Sequence, residues 1–90
     1  MNDPVCDQLN LQTLFLLGQY YRQAECNTGH SNSLRQIIQL LGQYGIYAAN
    51  GRLATRIAAW IICQNGKLPN ADTQLRISHE VQNEVFSNYN

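Results

Sequence analysis

The chain has 90 residues, a formal net charge of zero and only 13% charged residues. That is room for a single domain over residues 1–90, with the thin stability margin of a small core. Three cysteines are too few, and odd in number, for a disulfide framework. The longest strictly apolar run, Ile57 to Cys63, is far short of the roughly 20 residues that a membrane span needs. With no basic segment leading into an apolar one at the start, the expected setting is the cytoplasm, with reduced thiols.

Asp3-Pro4 reads as an N-cap followed by proline in a first helical turn, and Asp7 adds charge where a helix dipole favours it. Val5, Leu9, Leu14, Leu17, Tyr21 and Ala24 recur at helical spacing, which predicts one long helix ending about Cys26. Gly18 inside it is either a tolerated glycine or a place where another helix backbone comes close. Asn27-Thr28-Gly29-His30 stops the pattern, and Ser31 or Ser33 can cap the next helix. Leu34, Ile37, Ile38 and Leu41 follow at i, i+3, i+4 and i+7, so a second amphipathic helix is expected to end near Tyr44.

Ile46 to Ala49 reads equally as helix or connector. Asn50-Gly51 is a turn with Asn50 as a candidate cap. Leu53, Ile57, Trp60 and Ile61 then share one face of a third helix, which Asn65-Gly66 ends and Pro69 keeps ended. Beyond the loop from Lys67 to Asp72, Leu75, Ile77, His79 and Val81 alternate, as in a short strand. The same stretch also suits a last helix over about 79–88, starting as early as Asp72 and capped by Asp72 or Ser78. The fold class expected is therefore all-α, a compact bundle of about four helices, with a short β-hairpin or wing near 67–77 as the variant. The expected core is Leu14, Leu17, Tyr21, Leu34, Ile37, Ile38, Leu41, Leu53, Ile57, Trp60, Ile61, Val81 and Val85.

A pentapeptide recurs letter for letter: Leu16-Leu17-Gly18-Gln19-Tyr20 and Leu40-Leu41-Gly42-Gln43-Tyr44. The fragment Leu14-x-x-Leu17-Gly18-x-x-Tyr21 resembles the first helix of a tetratricopeptide repeat. The resemblance ends there, because the internal offset is 24 residues, not the roughly 34 of that family, and the alanine pattern of its second helix is missing. No family is recognised across the whole chain.

Few residues carry obvious chemistry. Cys26 and His30 have zinc-like spacing, but a second short Cys/His pair is missing, so no metal or other cofactor is expected. Cys26 and Cys63 read as small buried groups. His30, Ser31 and Ser33 adjoin in a capping turn, Glu80 and Glu84 lie one helical turn apart as a solvated pair, and no phosphate-binding glycine loop occurs. No catalytic residue is assigned and no enzyme activity is expected.

Two binding readings follow. Ten Asn and ten Gln fill the place of charge, so the surface is amide-rich and offers little electrostatic protection against association. Tyr20, Tyr44, Tyr47 and Tyr89 suit half-buried interface positions. The leading expectation is thus a small non-enzymatic protein-binding module of the adaptor, inhibitor or chaperone type, self-associating or bound to a protein partner. The alternative rests on charge. No acid occurs from Cys26 to Ala71, where Arg35, Arg52, Arg56 and Lys67 lie, which suits a helix-turn-helix or winged-helix DNA-binding regulator. Arg52 and Arg56, one turn apart, would lie on its recognition helix.

Overall fold

The structure, a computed structural model, describes residues 8–26 and 30–87, and the side chains of all of these except 30, 31 and 85–87. Four helices follow in order: α1 (Leu11–Glu25), α2 (His30–Gln43), α3 (Gly51–Cys63) and α4 (Ala71–Ser87). The all-α bundle expected from the periodicity is the fold. Among the described residues no strand forms; one isolated antiparallel bridge joins Gln8 to Lys67. The hairpin or wing variant over 67–77 is therefore replaced by a loop and the first turns of α4.

Each helix boundary has a local cause. The long first helix starts only at Leu11, because Gln8 to Asn10 are not helical and the Asn10 side chain accepts from the backbone N–H of Thr13 at 2.8 Å. Asp3, Pro4, Val5 and Asp7 lie outside the described residues. Asn50 caps α3 as expected, accepting from the N–H of Leu53 at 2.9 Å. Asn70, not Asp72 or Ser78, caps α4 by accepting from Thr73 at 2.9 Å. Ser33 is no cap. It lies inside α2, buried, with its hydroxyl 2.9 Å from Oε1 of Gln23 on α1; the side chain of Ser31 is outside the described set.

α2 and α3 end in the same way. Gly45 has φ 80° and Asn65 has φ 58°, each the left-handed residue just past its helix. The N–H of Ile46 reaches back to Leu41 O at 3.0 Å, and the N–H of Gly66 to Ile61 O at 2.9 Å. These are Schellman closures, which satisfy carbonyls that a helix end leaves orphaned. In α2 the closure also folds the buried Ile46 back beside Leu41, so residues 46–49 are connector rather than helix.

Among the described residues α3 packs against each of the other three helices, α1 packs against α2, and α4 packs against no helix but α3. The core gathers accordingly on Ala54, Ile57, Ala58 and Ile61 of α3, with Leu17, Ile37, Leu41, Ile77 and Val81 around them. Leu14, Tyr21, Leu53 and Trp60 pack on it half-buried, and Val85 lies outside the described side chains. Ile38 departs from expectation and is 36% exposed: α2 has neighbours only on the α1 and α3 sides, so its apolar stripe is wider than they cover. Leu9 joins the core from outside any helix. Its N–H donates to Gly66 O at 2.8 Å, while Gln8 Nε2 donates to Asn65 O at 2.8 Å. Gly18 is not a close-approach site within the chain, for a Cβ there would meet nothing within 4 Å.

Two substitutions should move stability in opposite directions in urea or thermal unfolding. Ile57→Ala removes a buried side chain at the centre of α3 and is expected to cost about 2–5 kcal/mol. Gly18→Ala meets open space in mid-helix and is expected to add up to about 1 kcal/mol.

Candidate functional site

Two surface features stand out from the packing. The first is a cleft of about 310 Å³ lined by Ala24 and Glu25 of α1, Leu34 of α2, Gly51, Arg52, Thr55 and Arg56 of α3, and Glu84 of α4. Its charges are set by helical spacing. Arg52 and Arg56 stand one turn apart on α3, and Ile77, Val81 and Glu84 follow at i, i+4 and i+7 on the inner line of α4. Glu84 is thus carried to α3 on the same stripe as two core residues. Both terminal nitrogens of Arg56 donate to its Oε2, and Nη1 of Arg52 lies 4.0 Å from its Oε1. All three side chains are partly exposed, so water screens the attraction and its net worth is modest.

The remaining cations do not converge on this cleft. Arg35 is exposed on α2, and Lys67 is exposed in the α3–α4 loop. Ala59 and Cys63, which continue the arginine stripe, border a groove shared with Ile77 and Glu80 of α4. The face expected to read DNA is therefore the face on which α4 packs. The connector between α2 and α3, Tyr44 to Asn50, is also longer than a helix-turn-helix turn.

The second feature is apolar. Leu11 is 83% exposed and Phe15 is 68% exposed, one turn apart on the outward side of α1. Phe15, Gly18, Gln19 and Arg22 join Ile62 of α3 in lining a groove of about 290 Å³. The tyrosines are divided. Tyr20 and Tyr44 pack half-buried against the core, whereas Tyr47 is 81% exposed in the connector and Tyr89 lies outside the described residues. Sequence reading missed the α1 face. Its signal was present: Leu11, Phe15, Gly18 and Arg22 form a second line at i, i+4, i+7 and i+11, beside the core line of Leu14, Leu17 and Tyr21.

No three His, Cys, Asp or Glu side chains among the described residues gather where they could hold a metal ion. Cys6 and the side chain of His30 lie outside that set. Cys26 and Cys63 are exposed rather than buried, since both fall at helix ends beyond the core stripes. Tyr21 has a perturbed phenol. Burial raises its pKa above the ordinary 10.0, and the charge of Glu25 and a hydrogen bond to that carboxylate raise it further. No helix of the described chain is long and apolar enough to cross a membrane. No protein-family model, curated protein or solved structure matches the chain.

A double-mutant cycle of Arg56→Ala with Glu84→Ala should give a coupling of at most about 1 kcal/mol, shrinking as salt is added. For Tyr21, Glu25→Gln should bring the phenol pKa down toward 10.0, read by NMR of ring-labelled tyrosine. Because the folded value lies above the unfolded one, its stability contribution is complete below about pH 10 and declines as pH rises through the folded pKa.

Proposed function

We propose that the chain is a non-enzymatic protein-binding module of the cytoplasm that engages its partner through the outward face of α1. The observation that carries this reading is the exposure of Leu11 and Phe15 on one helical line. Two large apolar side chains one turn apart, next to a groove walled by Ile62, have the form of a helix-packing surface. Tyr47 supplies a further exposed aromatic. The low charge and amide-rich surface favour association over repulsion. The DNA-binding alternative has less support. Two of its four cations, Arg52 and Arg56, already face Glu84, and few phosphates could be neutralised by Arg35 and Lys67 alone.

The test is a photo-cross-linker placed in the full chain, in cells that make it. Phe15→benzoylphenylalanine should give a discrete protein adduct, while the same group at the exposed Gln39 of α2 should not. Equal or absent adduct formation at the two positions would sink the reading.

A further inference from the structure

We infer that the cleft between the end of α1 and the start of α3 binds a free amino acid, with the ligand's carboxylate on Arg52 and its ammonium on Glu25. The inference is independent of the outward face of α1.

Both walls of the cleft carry charge where a helix does not favour it. Arg52 is the second residue of α3, and Glu25 is the last of α1. The start of a helix is already partly positive and its end partly negative. Each side chain therefore repeats the sign of its own helix end and costs its helix a little stability. Arg22, the basic residue in the last turn of α1, borders the outward groove instead. Departures from local preference concentrate at functional sites, and here two of them line one cleft.

The two charges are not used up by the fold. Among the described residues Glu25 forms no ion pair, and its carboxylate accepts a hydrogen bond from the Tyr21 phenol. Arg52 comes no closer than 4.0 Å to Oε1 of Glu84, whose other oxygen is held by both terminal nitrogens of Arg56. Arg56 and Glu84 thus largely neutralise each other, while the Arg52 fork keeps donors to offer. What is left is a positive wall on α3 and a negative wall on α1.

A ligand of one sign would be repelled by one of these walls, whereas a zwitterion is attracted by both. Ala24 and Leu34 add half-buried apolar surface to the lining. Leu34 closes against the start of α3, where a Cβ on Gly51 would lie 3.0 Å from its Cδ1. An α-amino acid carries its ammonium, its carboxylate and its side chain on one carbon, so an aliphatic example suits charges and apolar surface together. The cleft, about 310 Å³, is at the small end of ligand sites. Arg52 is 53% exposed, so water weakens its pairing with a ligand. The dissociation constant expected is on the order of 1 mM.

The experiment is an NMR titration of the full chain with L-leucine to about 20 mM at low ionic strength. Saturable amide shifts are expected at Ala24, Glu25, Arg52 and Thr55. N-acetyl-leucine lacks the ammonium and leucinamide lacks the carboxylate, and each should bind at least about threefold more weakly. Arg52→Gln should abolish the preference for leucine over leucinamide, and Glu25→Gln the preference for leucine over N-acetyl-leucine. Neither substitution should lower the melting temperature, because each removes a charge that its helix end disfavours. That separates lost binding from lost folding. Phosphocholine, a zwitterion whose cation donates no hydrogen bond and which has no aliphatic branch, should bind more weakly than leucine. No saturable shift at the cleft, equal affinity for leucine and its two single-charge analogues, or preferences unmoved by both substitutions would overturn the proposal. Phosphocholine binding as tightly as leucine would overturn the amino acid as the ligand.

Discussion

Everything in this fold rests on one line of α3: Ala54, Ile57, Ala58 and Ile61, all buried. α3 is the one helix that packs against each of the others. The two alanines keep the line low enough for neighbouring helices to come near, and the two isoleucines fill the space between them. Among the described residues α4 packs on no other helix. It is held by Ile77 and Val81 on that surface and by the Glu84 contact with Arg56. The segment before α1 is tied to the far end of the same helix through Leu9 and Gly66. Gly66, at φ 96°, has Gln8, Leu14 and Leu9 crowding the place of a Cβ. One closure thus ends α3 and anchors the entry to α1.

The repeated pentapeptide shows how little five residues decide. Leu17 and Leu41 are both buried, and Tyr20 and Tyr44 both pack half-buried on the core. The two copies nevertheless end differently. Tyr20 is followed by Tyr21 and α1 runs on, while Tyr44 is followed by Gly45 and α2 stops. Only glycine takes φ 80° without strain, and that residue turns Ile46 back into the core. The glycines of the repeat differ too. A Cβ at Gly42 would lie 3.9 Å from the Tyr47 ring, whereas one at Gly18 would meet nothing within 4 Å. Leu16 is exposed whereas Leu40 packs half-buried on the core, so identical letters share the buried leucine and the half-buried tyrosine but not their other surroundings.

The fold rearranges the charge that the sequence lays out in blocks. The acid-free stretch from Cys26 to Ala71 is real in sequence, yet the fold carries Glu84 from α4 to the arginines of α3. The apolar surface ran the other way. Leu11 and Phe15 fall off the core line by less than half a turn, so α1 could have been read as a helix buried on two sides. Among the described residues no helix packs on its outer face, and this leaves them in solvent.

The sequence by itself determined the helices and most of their limits, because those depend on local chemistry: an asparagine cap at Asn50, a glycine past Tyr44, and apolar residues at helical spacing. It also determined most of the core. Leu17, Ile37, Leu41, Ile57, Ile61 and Val81 lie at positions whose periodicity leaves one buried face. Only the tertiary structure decided the rest. Ile38 is partly exposed because, among the described residues, α4 does not pack on α2, and Leu9 is buried because Gly66 draws a non-helical segment inward. Arg52 and Arg56 meet an acid 28 residues beyond Arg56, and the outer line of α1 is left bare. Periodicity records how many faces a helix can bury, but which faces find a neighbour depends on how the helices are arranged in space.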